Sequence, residues 1–359
     1  LYEAYFDGDV DLVSDIRDFF DNRDKFVKYS LTLEHFKWAA TNFLPEVLIH
    51  SQSQDKRIVR EHYDRGNDFF EWFLGDTMVY TSGFYEAEDD TLDQAQKNKM
   101  DLVCRKLQLE PGDKFLDIGC GWGTLVKYAA EHYDVEAVGV TLAEEQTEWA
   151  NRRIEETGLS DQAEVLCRDY RELPQEEFDK IASLEMVEHV GVKNLSNYYE
   201  EVYNLLNDEG LFYLQWTGLR NDLRWEDLIW GLFMKKYVFP GADASLSLWP
   251  MARQMEKANF EIHSIENVTN HYGLTLDDWH DNWRDNKDKV LANYGERWYR
   301  IWNFFLAWSV RVAEQGNAAC FQVVLNKNLD SFDRKRWVDD TDETLGERVE
   351  KLDTNAAAE

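Results

Sequence analysis

The sequence has few cysteines, and their spacing forms none of the usual cross-linking patterns. Its 359 residues include four cysteines, and no two of these form a CxxC pair. This argues against a structural zinc site and against a disulfide framework. We therefore predict no bound metal, and free thiols in an intracellular compartment.

The sequence also lacks an excess of positive charge and a long apolar run. It carries 39 Lys and Arg against 70 Asp and Glu, a formal net charge of −31. Such a charge repels nucleic acid and opposes adsorption to an anionic membrane, so no nucleic-acid partner is expected. No stretch of about 20 uncharged apolar residues is present, so no transmembrane helix is predicted. The sequence begins at Leu1 rather than Met, and we expect that an integral membrane anchor is missing from it.

Strand-like and helical patterns alternate through the middle of the chain. KFLDIG, VEAVGVTL, AEVLCRDY, FDKIASL and GLFYLQWTG are strand-like runs, and helical segments separate them. This alternation predicts an α/β fold with a doubly wound, largely parallel sheet. The expected units are a helical N-terminal extension and lid (1–85), the α/β core (86–218), a helical, aromatic-rich insertion (219–290), the C-terminal part of the core (291–329) and a charged tail (330–359).

The run KFLDIGCGWGTLVKYAA joins an acid-containing strand to a helix through three glycines. In parallel sheets, ligands bind beyond the carboxyl ends of the strands, where glycine lets the backbone approach them closely. Asp117, Gly119 and Gly121 are placed for such contacts. The GxGxG spacing differs from the GxGxxG fingerprint of dinucleotide sites. A plain tight turn between strand and helix is the alternative.

A polar and aromatic pair, Asp169 and Tyr170, follows the third strand. The carboxylate is suited to accept from an adenine amino group, and the ring is suited to pack on the adenine face. Together with the glycine turn, this pair resembles class I S-adenosylmethionine-dependent methyltransferases, which implies a Rossmann-like sheet and S-adenosylmethionine as cofactor. That family usually ends its second strand in an acid, whereas Thr141 and Leu142 stand here, followed by Gln146. This variant is similar to cyclopropane fatty acid synthases and mycolic acid methyltransferases.

Segments outside the core resemble the same branch. HYDRGNDFFEWFLGDTMVYTSGFY looks like the family's lid, and the resemblance implies that Tyr80 and Thr81 touch the cofactor. SLEMVEHVG and NHYGLTLDDW look like its catalytic segments. They imply that Glu188 and Tyr272, with His189 beside Glu188, hold a bicarbonate ion that acts as general base.

Two positions depart from the branch. Ser82 stands where bacterial members have a cysteine that contacts the bicarbonate. The histidine that follows the fifth strand in the family is absent, and the matching position falls near Gln215. Because a hydroxyl can still donate a hydrogen bond to an anion, Ser82 stays a catalytic candidate.

Two further segments indicate which type of enzyme within this branch the sequence resembles. EDLIWGLFMKKYVFPGADASLSLW and YGERWYRIWNFFLAWS resemble fungal-type sphingolipid C-9 methyltransferases, and the resemblance extends over about residues 11–329. It implies methyl transfer to C-9 of the unsaturated sphingoid base of a ceramide, through a carbocation and proton abstraction. Proton loss from the methylated carbon restores an alkene, whereas loss from the new methyl closes a cyclopropane. Cyclopropanation, small-molecule N-methylation and a non-catalytic scaffold remain open alternatives.

A lipid substrate sets expectations for location and partners. Members of this type carry two N-terminal membrane helices, which the sequence lacks. We expect an intracellular protein, either membrane-associated (at the endoplasmic reticulum in a eukaryote) or cytoplasmic, with peripheral membrane contact and a homodimer as open alternatives. The apolar clusters at 302–308 and 230–239 are expected to line a tunnel or face the bilayer, with a buried helix core as the alternative. The charge of −31 argues against a membrane lipid and leaves a different acyl chain or a soluble acceptor open.

Overall fold

The computed structural model describes residues 2–27, 37, 66–87, 89–174 and 177–337. One sheet of seven strands runs through the described part of the chain. Its strands are β1 (Lys114–Ile118), β2 (Glu136–Thr141), β3 (Ala163–Cys167), β4 (Phe178–Leu184), β5 (Leu206–Leu219), β6 (Phe260–Asn267) and β7 (Ala318–Lys327).

The strand order is β3-β2-β1-β4-β5-β7-β6. Strands β1 to β5 pair in parallel, and β7 runs antiparallel to both β5 and β6. The central strand β1 is buried along all but its first residue, as expected for a parallel strand covered on both faces. The predicted α/β class and the largely parallel, doubly wound sheet are confirmed.

Helices cover both faces of the sheet and form a second layer beyond its carboxyl edge. Thr91 caps the helix that precedes β1, because its side chain accepts from the Gln94 amide at 3.3 Å. The helices are α1 (Tyr2–Phe6), α2 (Ile16–Asn22), α3 (Asn67–Leu74), α4 (Leu92–Lys106), α5 (Thr124–Tyr133), α6 (Glu144–Glu156), α7 (Leu195–Leu205), α8 (Trp225–Phe233), α9 (Leu248–Lys257), α10 (Thr269–Asp285) and α11 (Lys287–Glu314).

The chain order reverses between β1 and β4. From β1 the chain proceeds to β2 and β3 on one side, and β4 then pairs with β1 on its other side. In open α/β sheets, this switch point opens a crevice at the carboxyl ends of the two strands. The loops that follow Ile118 and Leu184 therefore face each other across the crevice.

The range 219–290 is not wholly helical, which corrects the prediction for the insertion. Residues 260–267 form β6, which pairs with β7 at the edge of the sheet. This segment alternates charged or polar with apolar residues and has only one sheet neighbour, so its pattern was too weak to separate it from the surrounding helices.

Helices α1, α2, α3, α8, α10 and α11 enclose an aromatic core. Helix α11 contains the cluster at 302–308, and Trp302 and Trp308 are fully buried there. The alternative of a helix core is therefore correct for most of this cluster. Among the described residues, no helix combines the length and apolar character needed to cross a bilayer.

The predicted charged tail is only partly described. Phe332 is buried, and the Trp337 ring lies 4.1 Å from the His263 ring on β6. The first residues of the predicted tail thus pack on the sheet edge. Residues 338–359 lie outside the described residues, as do residues 62–65 at the start of the predicted lid.

Candidate active site

The glycine turn after β1 is shaped by a close approach of the loop after β4. Gly119 has φ of 80°, and a Cβ atom there would lie 2.4 Å from the Met186 Cγ. Gly121 also has positive φ, at 53°. Only glycine adopts this turn without strain while leaving the neighbouring loop in place. The turn is therefore more than a simple connection between strand and helix.

A cavity, here called the turn cavity, opens at the switch point. Its wall brings together every residue that the sequence predicted to bind the cofactor, and it also includes His189. These cofactor candidates are Tyr80, Thr81, Asp117, Gly119, Gly121, Thr141, Leu142, Gln146, Asp169 and Tyr170.

Helix α4 holds Thr81 of the predicted lid at the wall of the turn cavity. The Lys99 Nζ donates to the Thr81 Oγ1 at 2.6 Å, and the Gln96 amide donates to the Thr81 carbonyl at 2.9 Å. Burial lowers the pKa of Lys99 to about 8, whereas burial raises the pKa of Asp117 to about 7, with Lys99 partly opposing that rise. Sequence reasoning missed Lys99. The available signal was its position four residues before the buried Val103, which places both side chains on one face of helix α4.

The cofactor candidates Thr141 and Asp169 lie at the ends of neighbouring strands, because Thr141 ends β2 and Asp169 follows β3. The Thr141 hydroxyl donates to the Gln146 Oε1 at 2.7 Å, and both side chains are buried. The Asp169 carboxylate accepts from the Arg171 guanidinium at 2.8 and 2.7 Å. The Asp169 Oδ1 also accepts from the Arg171 backbone amide at 3.1 Å. Tyr170 lies beside it on the cavity wall.

A second cavity, here called the apolar cavity, lies between the sheet edge and the helical layer. Its wall contains Trp230, Met234 and Phe239 from the predicted insertion cluster, but only Phe305 from the cluster at 302–308. The expectation that these clusters line a tunnel thus holds for parts of each. Glu188 and Tyr272 are among the polar residues of this wall.

The two cavities share two wall residues of the described chain, Tyr80 and Glu185. The Glu185 Oε1 accepts from the Gln215 amide at 2.7 Å and from the Ser82 amide at 3.1 Å. The Tyr272 hydroxyl also hydrogen-bonds this carboxylate. Glu185 therefore lies where the crevice meets the apolar cavity.

Glu185 was missed as a site residue by sequence reasoning. It lies in the quoted segment SLEMVEHVG, at the carboxyl end of β4, which is where ligands of parallel sheets bind. That position was the available signal. Its left-handed backbone, with φ of 53°, is unusual for a residue other than glycine and is not readable from the sequence.

The adjacent candidates Glu188 and His189 face different cavities. Glu188 lines the apolar cavity, where its Oε1 accepts from the Thr217 amide at 2.6 Å and hydroxyl at 2.9 Å. Burial, with repulsion from Glu185, raises the pKa of Glu188 to about 8. His189 lines the turn cavity, and burial lowers its pKa to about 4. At neutral pH both side chains are therefore mainly uncharged.

The Ser82 hydroxyl points away from the expected anion site. It donates to the Gly83 carbonyl at 2.9 Å, and the Ser82 backbone amide contacts Glu185 instead. The amide of Gln215, at the position expected to lack a ligand, also contacts Glu185. Thus Ser82, Gln215 and Tyr272 converge on a protein carboxylate.

Comparisons with known proteins identify the family of this chain. Residues 50–323 match the family described as mycolic acid cyclopropane synthetase. A Sphingolipid C9-methyltransferase 2 of Gibberella zeae is 46% identical over 93% of this chain, and a Sphingolipid C9-methyltransferase of Komagataella phaffii is 44% identical over 98%. The chain spans 65% of the length of the first and 74% of the second.

A solved structure extends the likeness to three dimensions. Mycolic acid cyclopropane synthase CmaA1, crystallised with SAH and CTAB, superposes with a TM-score of 0.73 at 27% identity, covering 76% of this chain and 98% of its own. The fold class and the family resemblance predicted from the sequence are confirmed. The chain belongs to the mycolic acid cyclopropane synthetase family.

Proposed function

We propose that the protein is an S-adenosylmethionine-dependent C-methyltransferase that acts on an alkene carbon of a sphingolipid, C-9 of the sphingoid base. The observation that carries this proposal is the meeting of the turn cavity and the apolar cavity at Tyr80 and Glu185. A donor held in the first cavity and an apolar chain held in the second would meet at that wall. The identity to sphingolipid C9-methyltransferases supports the choice of acceptor.

The turn cavity fits the methyl donor. S-adenosylmethionine supplies a methyl group bound to a positively charged sulfur. Asp117 and the glycine turn would hold its methionine end, Thr141 and Gln146 its ribose, and Asp169 with Tyr170 its adenine. Ionised Asp117 would also attract the cofactor's ammonium group. The CmaA1 crystal structure contains SAH, the demethylated form of this cofactor, which supports the assignment.

The apolar cavity fits a long hydrocarbon chain. Its wall is formed mainly by aliphatic and aromatic side chains, and its charged members are Glu185, Glu188, Lys235 and Asp243. Methyl transfer to an isolated alkene leaves a carbocation, which water would trap, so a dry site is required. Tyr80 and Phe239, whose rings lie 5.5 Å apart, can stabilise a nearby cation through their faces by about 1–2 kcal/mol each.

The alternatives make different products. Cyclopropanation would consume the double bond, and N-methylation would need an amine acceptor at the shared wall. The similarity to proteins named sphingolipid C9-methyltransferases, over more than nine tenths of this chain, favours the alkene-retaining reaction.

The direct test is methyl transfer in vitro. The protein is incubated with S-adenosylmethionine labelled in its methyl group and with ceramide that carries an unsaturated sphingoid base. We expect a labelled lipid that has gained one CH2, with the double bond retained at the methylated carbon, as read by mass spectrometry after ozonolysis. A product without a double bond would indicate cyclopropanation. Absence of label from ceramides, with label in free fatty acids or amines, would refute the proposed acceptor.

We further propose that the lipid enters from a membrane surface, at the endoplasmic reticulum in a eukaryote. The predicted insertion (219–290), which supplies Trp230 and Met234 to the apolar cavity, also bears exposed apolar side chains. Trp225 is 57% exposed and Trp249 is 68% exposed. Such side chains favour the interfacial region of a bilayer. Co-sedimentation with zwitterionic vesicles should fall when both tryptophans are changed to serine, and equal binding by the variant would refute this route.

A further inference from the structure

Glu185 is the acid at the boundary between the two cavities. It follows β4 directly, at the switch point of the sheet, and lines both the turn cavity and the apolar cavity. Glu188, by contrast, lines only the apolar cavity, and Asp117 lines only the turn cavity. A group that takes a proton from the methylated carbon must reach both the reacting chain and the methyl donor. Among these three acids, Glu185 has that position.

The hydrogen bonds around Glu185 favour its ionised form. Its Oε1 accepts from the Gln215 amide and the Ser82 amide, and the Tyr272 hydroxyl also donates to the carboxylate. Such donors stabilise negative charge, and the Lys99 cation acts in the same direction. Burial opposes them and leaves the pKa of Glu185 above its usual value, as suits a base that must accept a proton.

The two neighbouring acids differ in surroundings. The Glu185 carboxylate accepts from the Ser82 and Gln215 amides, the Tyr272 hydroxyl and, at 3.8 Å, the Cys320 thiol, and the Lys99 cation acts on it as well. The Glu188 carboxylate accepts from the Thr217 amide and hydroxyl and from its own backbone amide, and no partner for its buried Oε2 is found among the described residues. Two acids in contact with one site, one ionised and the other neutral, are a usual arrangement for proton transfer. Because Lys99 acts on Glu185, its surroundings favour the charged form more than those of Glu188 do.

The same geometry bears on the expected bicarbonate. Ser82 and Tyr272, which were expected to contact an external anion, contact the Glu185 carboxylate, and so does Gln215. A carboxylate and a bicarbonate ion share the same planar pair of acceptor oxygens. The Glu185 side chain therefore fills the place and hydrogen-bond role of that anion.

We propose that the Glu185 carboxylate is the general base of the methyl-transfer reaction and makes external bicarbonate unnecessary. The inference rests on the proposed function. The alkene π pair forms the new carbon–carbon bond while the sulfur–methyl bond breaks, its electron pair staying on sulfur and the neighbouring chain carbon becoming a cation. A Glu185 oxygen then takes the proton from the methylated carbon, and the C–H pair restores the double bond. The neutral Glu185 afterwards releases the proton to solvent.

The test compares two substitutions at Glu185. Glu185→Gln keeps the shape and removes the basic oxygen. Glu185→Gly removes the side chain, leaves room for a small anion beside the donors that contact Glu185, and suits the left-handed backbone at this position. Removal of a general base costs about 10²- to 10⁴-fold in rate, so we expect at least a 100-fold loss of turnover in both variants. The wild type should be equally active in CO2-free buffer with and without added bicarbonate.

Anion rescue separates a base from a structural residue. Bicarbonate or formate should restore the turnover of Glu185→Gly at least tenfold with saturation, and should not restore Glu185→Gln, which has no space for the anion. The wild-type turnover should fall as pH drops through the raised pKa of Glu185, whereas the rescued variant should follow the pKa of the added anion. Circular dichroism and the affinity for SAH check that both variants are folded.

The outcomes distinguish this inference from the proposed function. If the wild type methylates no ceramide, the proposed function fails. If the wild type methylates ceramide but requires bicarbonate, or Glu185→Gln stays within tenfold of wild type, the base is not Glu185. Loss of activity in Glu185→Gly without rescue by any small anion also overturns the inference, because the carboxylate would then act only structurally.

Discussion

The turn cavity and the apolar cavity are built in opposite ways. The turn cavity is formed largely by the ends of parallel strands and by the loops that follow them, so its polar groups lie close together in the core sequence. The apolar cavity draws residues from β5, α8, α10 and α11, which are distant in the chain, and its wall is mostly apolar. The construction of the turn cavity suits a methyl donor that related enzymes share. The construction of the apolar cavity suits an acceptor that differs from one enzyme to another.

The difference shows how one fold can serve several acceptors. Changes in the insertion alter the apolar cavity without touching the glycine turn, because the two cavities meet only at Tyr80 and Glu185 among the described residues. Substitutions on one side of this wall should therefore leave binding on the other side intact. The predictions below test this separation.

The largest effect is expected in the turn cavity, from Asp117→Asn. Asp117 is buried at the end of β1, and its ionised carboxylate would pair with the cofactor's ammonium group. A charge-assisted hydrogen bond contributes about 1.5–3 kcal/mol, so the Kd for S-adenosylmethionine should rise about 10- to 100-fold. Isothermal titration calorimetry measures this change.

The matched control for Asp117→Asn is a carboxyl of the other cavity. Glu188→Gln removes an acid that lines only the apolar cavity, so the Kd for S-adenosylmethionine should stay within about threefold of wild type. If the two substitutions weakened S-adenosylmethionine binding equally, the two cavities would be coupled and the proposed separation between them would be refuted.

A smaller, reciprocal effect is expected from Gly231→Leu in the apolar cavity. Gly231 lies on α8 and lines this cavity, and a Cβ atom there would lie 3.6 Å from Leu219 Cδ1, an ordinary contact. A leucine adds bulk inside the chain-binding space, so kcat/KM for the lipid should fall about tenfold, which corresponds to about 1.4 kcal/mol. The Kd for S-adenosylmethionine should not change.

Gly231→Ala controls for the helix itself. Alanine fits the space beside Leu219 and favours helix formation, so the activity of Gly231→Ala should stay close to that of the wild type. If Gly231→Ala and Gly231→Leu lose activity equally, then α8 rather than the cavity volume is responsible. Steady-state kinetics with lipid and cofactor varied separately distinguishes these results.

The two cavities also differ in how far the sequence could predict them. The turn cavity follows from local patterns, because a strand ending, a glycine turn and a helix start fix Asp117, Gly119 and Gly121 within a few residues of one another. The parallel sheet then brings Thr141 and Asp169 to the same edge. Local spacing and topology were sufficient there.

The shared wall could not be predicted in the same way. Glu185 adopts a left-handed backbone that its residue type does not announce, and its partners Ser82, Gln215 and Tyr272 come from three distant segments. The resemblance to a family supplied these partner positions but placed an external anion among them. Only the three-dimensional arrangement reveals a protein carboxylate at the centre.

The smallest expected effect is on folding stability. It distinguishes Glu188, in the apolar cavity, from Asp117 and His189, in the turn cavity. Burial raises the folded-state pKa of Glu188 to about 8 from 4.5, so the folded state binds more protons than the unfolded state between these values. Stability must then decrease as pH rises through this window. Asp117 contributes in the same direction only up to about pH 7, and the His189 contribution lies below pH 6.5. From pH 7 to 8, Glu188 therefore dominates among these three groups.

Glu188→Gln tests this dependence because it removes the titrating group and keeps the side-chain shape. A one-unit rise in pH with one extra proton bound in the folded state costs at most about 1.4 kcal/mol, so the wild type should lose about 1 kcal/mol between pH 7 and 8 relative to the variant. Urea unfolding at the two pH values, without cofactor, measures the difference. Parallel losses in both proteins would mean that Glu188 is already ionised at neutral pH, and the raised pKa of Glu188 would be refuted.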